Sequence, residues 1–136
     1  MTPSLSILLV DDDATIRRVV RRHLIARGHE VVEASDGSGG VELLGTRAFD
    51  VVIVDLRMPQ VDGLALTAHA RTALGADGPA IWIMTGSVDP GIEGAARQAG
   101  ADAVILKPFQ GQELDVWLAR LAARRSLDDR GGAPGV

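Results

Sequence analysis

Ile7-Leu8-Leu9-Val10 runs straight into Asp11-Asp12-Asp13, and Val51-Val52-Ile53-Val54 runs straight into Asp55. Short apolar runs with no polar alternation are strands covered on both faces, the habit of a parallel sheet. If these two belong to one such sheet, their acidic ends meet at one edge and form a pocket that demands a cation. Three further runs read the same way, at 31–34, 80–84 and 103–106, and segments of helical period separate them.

The first of these segments, 14–27, carries Ile16, Val19, Val20, Leu24 and Ile25 as an apolar stripe, with Asp13 placed to cap it and Gly28 to stop it. The second, 38–44, is short and flanked by glycines. The third, 64–74, follows the turn Pro59-Gln60-Val61-Asp62-Gly63. The fourth, 92–99, contains Gly94 and follows Pro90-Gly91, so its intrinsic stability is low and it is the expected mobile helix. The fifth, 112–124, places Leu114, Trp117, Leu118 and Leu121 at spacings of three and four. Residues 126–136 show no apolar pattern and read as a disordered tail or the start of a linker, leaving 1–125 as one folded domain.

Strands alternating with helices, joined by right-handed crossovers, predict an α/β fold: a doubly wound parallel sheet of five strands in the order 2-1-3-4-5, with five helices. Strands one and three are then adjacent, and the cleft at their carboxyl ends is where such folds place a ligand. Asp11, Asp12 and Asp55 fall there. Thr85 ends the fourth strand and Lys107 the fifth, adding a hydroxyl donor and a mobile ammonium to the same edge. Crowded carboxylates with only oxygen ligands suit Mg²⁺, and the full set makes a site for a phosphoryl group on a carboxylate.

Composition narrows the rest. At 136 residues, 46% hydrophobic and 24% charged, the chain forms one domain with a real core. It has no cysteine, hence no disulfide framework and no thiolate metal site. The amino-terminal residues do not form a signal peptide, and no apolar stretch spans a bilayer, so a cytoplasmic location is expected with no membrane partner. A net charge of −4 and scattered arginines speak against direct nucleic-acid binding. His23, His29 and His69 lie on helical or turn segments and read as structural.

In these motifs the chain, from about Leu5 to Arg124, resembles a two-component response-regulator receiver domain of the CheY-like, flavodoxin-like fold. The resemblance implies that Asp55, in Val54-Asp55-Leu56-Arg57-Met58-Pro59, is the phosphoacceptor. It also implies that Asp11 and Asp12 hold Mg²⁺ with Asp55 and the backbone carbonyl of Arg57. Thr85 and Lys107 would contact the phosphoryl oxygens, and Lys107-Pro108 resembles the family's cis peptide. Arg57 and Ser87 stand where the family tunes the hydrolytic water. Val104 stands where many members carry a switching aromatic, and the chain has no tyrosine.

The partners implied are a sensor histidine kinase or histidine phosphotransfer protein as donor, and a downstream effector protein or output domain as recipient of the signal. That signal would be a changed surface on the fourth helix, fifth strand and fifth helix, in a monomer or a phosphorylation-dependent homodimer, whether the receiver stands alone or heads a larger regulator. Such a domain is regulatory and assists only its own phosphotransfer and autodephosphorylation. Asp102 resembles one member of the charged pairs used for dimerisation in winged-helix regulators, while Trp117 stands where an arginine is expected. Two rival readings share parts of the pattern. A haloacid-dehalogenase-type phosphatase also uses a strand-end Asp and wants a second two positions on, a spacing Asp11 and Asp13 satisfy. A receiver-fold scaffold would bind partners without being phosphorylated.

Overall fold

The computed structural model describes residues 3–131 apart from 88 and 109, and over 126–131 the backbone alone. Five strands, β1 (Ser6–Val10), β2 (Glu30–Ala34), β3 (Val51–Asp55), β4 (Ala80–Thr85) and β5 (Ala103–Leu106), alternate with five helices. The helices are α1 (Ala14–Ala26), α2 (Gly37–Thr46), α3 (Gly63–Leu74), α4 (Pro90–Ala99) and α5 (Gly111–Gly131). All pairings are parallel and the order is β2-β1-β3-β4-β5, the doubly wound order expected.

The central strands are apolar except at their ends because both faces are covered. Ile7, Leu9 and Ile53 point toward Val20 and Leu24 of α1 and Leu118 of α5. Leu8, Val10 and Val54 point toward Leu44 of α2, Leu66 of α3 and Ala96 of α4. The edge strands are less covered, and Leu106 on β5 is exposed.

Helix ends follow their caps. Asp13 accepts from the backbone N–H of Thr15 and of Ile16, as expected. Gly28 adopts φ 88°, its N–H donates to Ile25 O, and the N–H of His29 donates to Leu24 O, so α1 closes in a Schellman turn. The third and fourth helices begin earlier than the apolar pattern suggests. Asp62 caps α3 at Gly63, and Asp89 caps α4, whose first residue is Pro90, a residue pre-set for that position.

Two expectations are corrected. In α1 only Val20 and Leu24 are buried, with Ile16 partly so, while Val19 is 62% and Ile25 43% exposed. At about 100° per residue, Val19 lies about 100° and Ile25 about 140° from Val20, off the buried stripe. The fifth helix does not stop near Arg124 but continues to Gly131, through a segment with no proline to break it. The part of the expected tail at 132–136 lies outside the described residues. Among the described residues, no helix is long and apolar enough to cross a membrane.

Candidate functional site

Register places the chemistry. Val10 pairs with Val54, so the residues after them, Asp11 and Asp55, stand side by side at the carboxyl end of the sheet. Asp55 pairs with Met84, and Thr85 with Leu106, so Thr85 and Lys107 each stand one residue further along as the sheet is crossed. The edge is a staircase that turns toward one pocket.

Asp11 is wholly buried, Asp55 and Thr85 nearly so, and Asp12 is exposed. Asp11, Asp12 and Asp55 each offer a carboxylate oxygen within 4.8 Å of the others. Lys107 Nζ donates to Asp55 Oδ1 at 2.6 Å and to Asp11 Oδ2 at 3.2 Å. The Lys107–Pro108 peptide is cis. The Thr85 hydroxyl oxygen accepts from the backbone N–H of Ser87 at 3.2 Å, and the Thr85 carbonyl accepts from the N–H of Lys107 at 2.7 Å.

The loop that follows Asp55 is held tightly. The N–H of Gly63 donates to Leu56 O, and a Cβ on Gly63 would stand 2.6 Å from the Asp55 carbonyl oxygen. Any larger residue there displaces the backbone that carries Asp55.

Burial pushes the Asp55 carboxyl above its ordinary range. Lys107 opposes that rise through its hydrogen bond and charge, and Asp11 and Asp12 reinforce it. For Lys107, burial works against the charged form, but the hydrogen bond to Asp55 and the charges of Asp11 and Asp55 outweigh it and hold the ammonium above its usual value. Three carboxylates therefore face one ammonium, and a bound cation would relieve the excess negative charge. The donor set is oxygen alone and sits on a rigid sheet edge, which fits Mg²⁺.

A match to the response regulator receiver domain model covers residues 7–119. The chain belongs to this receiver-domain family. It is 38% identical over 128 residues to the transcriptional activator protein PfeR of Pseudomonas aeruginosa, covering 93% of this chain and 40% of that protein. It is 36% identical over 126 residues to the response regulator MprA of Mycolicibacterium vanbaalenii, covering 93% and 54%. The receiver chain thus spans about half the length of these relatives. Among solved structures, the Vibrio cholerae chemotaxis protein CheY4 matches with a TM-score of 0.82 at 28% identity, over 88% of this chain and 99% of that one. The receiver domain of the Pseudomonas aeruginosa sensor histidine kinase PA1611, whose structure has a magnesium ion coordinated in its active-site cleft, matches with a TM-score of 0.80 at 27% identity, over 89% and 99%.

The structure brings Asp11, Asp12, Asp55, Thr85 and Lys107 of the receiver together. Arg57 is exposed, and its side chain makes no hydrogen bond or ion pair among the described residues. Val104 is half-buried and lines a cavity of about 280 Å³ together with Thr85, Ser87, Pro90, Ile92 and Leu106. Asp102 is engaged within the chain: Oδ2 accepts from Arg71 at 2.6 Å and from the N–H of Ile81 at 2.8 Å. Trp117 packs edge-on against Trp82, ring centroids 5.4 Å apart, as part of the α5 core stripe. Of the three histidines read as structural, His29 and His23 have partners within the fold, while His69 is exposed on α3. His29 is buried and its Nδ1 accepts from the N–H of Leu5, while His23 bonds Asp115 of α5 at 2.8 Å.

One residue at the site escapes a reading of motifs. Arg17 Nη1 donates to the carbonyl oxygen of Asp11 at 2.6 Å. Its only signal in the sequence is an arginine one position after Ile16, close enough to the start of α1 to fold back on the loop before it.

Proposed function

We propose that Asp55 accepts a phosphoryl group from a phosphohistidine of a sensor histidine kinase or histidine phosphotransfer protein, and that the receiver domain thereby switches a partner-binding surface. The observation that carries this reading is the buried Asp55 carboxylate held by Lys107 at 2.6 Å beside two further acids. Asp11, Asp12, Asp55 and the carbonyl of Arg57 would hold Mg²⁺, which when bound neutralises charge on the transferring oxygens.

The chain's residues divide the remaining work. A carboxylate oxygen of Asp55 forms a bond to phosphorus as the bond from phosphorus to the donor imidazole nitrogen breaks, and the imidazole keeps the electron pair. Lys107 pairs with the phosphoryl oxygens, and the Thr85 hydroxyl donates to one of them. The donor reaches the pocket beside an apolar groove of about 490 Å³, lined by Ile16, Val19, Val20, Pro108 and Gly111 and bordered by Lys107. That placement explains why α1 leaves Val19 exposed. Water later attacks the phosphorus, the acyl phosphate is cleaved, and Asp55 is restored; Arg57 and Ser87, two residues after Asp55 and Thr85, would set how readily water enters.

Output follows from Thr85. Its hydroxyl already holds the N–H of Ser87, so a shift toward a phosphoryl group draws the loop before α4. The cavity at Val104 gives that loop room to move without an aromatic residue. The surface altered is that of α4, β5 and α5, where Leu106 and Val116 lie exposed for an effector or an output domain. Asp102 gives Oδ2 to Arg71 and to the N–H of Ile81 while its side chain stays half exposed, so the absence of the expected arginine at Trp117, and not the bond to Arg71, favours a monomer or a homodimer built on other contacts. Two of the relatives are named a transcriptional activator and a transcriptional regulatory protein, and the chain spans only about half of each, which supports a module of a larger regulator over a stand-alone receiver.

The phosphatase reading needs the carboxylate two residues after Asp11 as an acid/base, whereas Asp13 Oδ1 caps α1, accepting from the N–H groups of Thr15 and Ile16. Incubation with Mg²⁺ and acetyl phosphate tests the proposal. An acid-stable, base-labile adduct is expected on the wild type and not on Asp55→Asn. Rapid release of phosphate from many small esters without an adduct would indicate a phosphatase, and neither result would leave a scaffold.

A further inference from the structure

We propose that Arg17 is a positioning residue for the cation site: by fixing the peptide that joins Asp11 to Asp12, it sets where the Asp12 carboxylate stands and so how tightly Mg²⁺ binds. This rests on the metal-site reading given above.

The three acids are not held alike. Asp11 is fixed on every side: its N–H donates to Ala34 O, Oδ1 accepts from the N–H of Asp13, and Oδ2 accepts from Lys107. Asp55 is fixed by β3 and by Lys107. Asp12 is exposed, and its side chain makes no hydrogen bond among the described residues. Its direction therefore depends on the peptide that precedes it.

The carbonyl of that peptide is the group Arg17 holds, at 2.6 Å. Arg17 is itself braced, with Nε 3.4 Å from Glu33 Oε1 on β2 and the side chain only 18% exposed. Arg21, one turn on, shares the same carboxylate at 3.3 Å. The brace thus runs from β2 through the first turns of α1 to the backbone between two of the proposed ligands. Groups that orient metal ligands from outside the coordination sphere typically change affinity by about 10- to 100-fold when removed.

Charge and position predict opposite signs here. A guanidinium close to a cation repels it, so by Coulomb's law alone the loss of Arg17 tightens Mg²⁺ binding. Loss of a positioning contact weakens it.

Calorimetric Mg²⁺ titration of the full chain, at a temperature where melting without metal shows each variant folded, decides between them. R17A is expected to raise Kd by about tenfold or more. R17K, whose single ammonium can reach one acceptor but not both, is expected to fall between R17A and wild type, and E33Q to raise Kd less than R17A. A Kd for R17A equal to or below the wild-type value overturns the proposal while leaving the metal site standing. If R17A does not fold, an R17K value at or below wild type overturns it equally. A wild-type chain that binds no Mg²⁺ overturns the metal site and this proposal with it.

Discussion

His29 shows how a single side chain ties the amino terminus to the sheet. Its Nδ1 accepts the N–H of Leu5 from within a buried position, so the ring works as a neutral acceptor. Burial lowers its pKa below the ordinary value; the charge of Asp115 partly opposes this and that of His23 adds to it. A histidine with a depressed folded-state pKa binds fewer protons folded than unfolded. Its contribution to stability is therefore complete above the unfolded pKa of about 6.5 and is lost as pH falls from there toward the folded value. Melting temperatures of the wild type should drop across that window. His29→Asn, which keeps an acceptor oxygen near the same place and cannot be protonated, should flatten the drop; an unchanged profile would assign the acid sensitivity to other groups. The residues of the acidic pocket were legible in sequence because each lies at or just past the carboxyl end of a strand. Arg17 was not, since its role depends on a helix side chain folding back onto a loop carbonyl, and no motif encodes that distance.

At the level of elements, strands were read well and helix faces less well, for one physical reason. A strand buried on both faces is apolar at every position, so β1, β3 and β4 declare themselves regardless of orientation. A helix face is set by angle, and α1 carries more apolar residues than its buried stripe needs, so Val19 and Ile25 were drawn into a core they do not enter. Helix starts shifted for a similar reason, because Asp62 and Asp89 cap helices that begin before their first apolar residue. Two glycines with open space around them separate the roles of backbone and packing. Gly28 closes α1 at φ 88°, whereas Gly94 lies inside α4, and a Cβ meets nothing within 4 Å at either. Gly28→Ala should cost about 1 to 2 kcal/mol, the penalty of the left-handed region. Gly94→Ala should instead gain about 0.5 to 1 kcal/mol by favouring the helix. Urea unfolding midpoints moving in opposite directions for the two variants would bear this out. Equal and same-signed shifts would mean that packing, not backbone, governs both. A stiffer α4 would also bear on output, because it is the helix nearest the Thr85 loop.

For the molecule as a whole, the question is where the receiver fold ends. The family match stops at residue 119, and the sequence pattern fades near 124, yet the packing reaches further. Leu121 and Ala122 are buried in the same cluster as Leu114 and Leu118, on the face of the sheet shared with α1. Arg125 then reaches across to the far end of the sheet, where Nη2 donates to Asp50 O at 2.8 Å and Nη1 lies 3.6 Å from its carboxylate. Asp50 in turn accepts the N–H of Ser6 at the start of β1, so α5, β1 and the start of β3 are joined at the end opposite the acidic pocket. Residues up to 125 thus pack on or bond to the sheet and are expected to unfold with it, whatever follows in a longer protein. A chain ended after residue 119 loses the burial of Leu121, and cavity-forming losses of that kind cost about 2 to 5 kcal/mol. It should melt well below the full chain and with a shallower transition. A chain ended after residue 125 should match the full chain within a degree or two and keep the same Mg²⁺ affinity, since both the core and the Arg125 bond remain. If instead the chain ended at 119 melts like the full one, the last turns of α5 are an appendage, and the surface proposed to carry the signal is less firmly built than its burial implies.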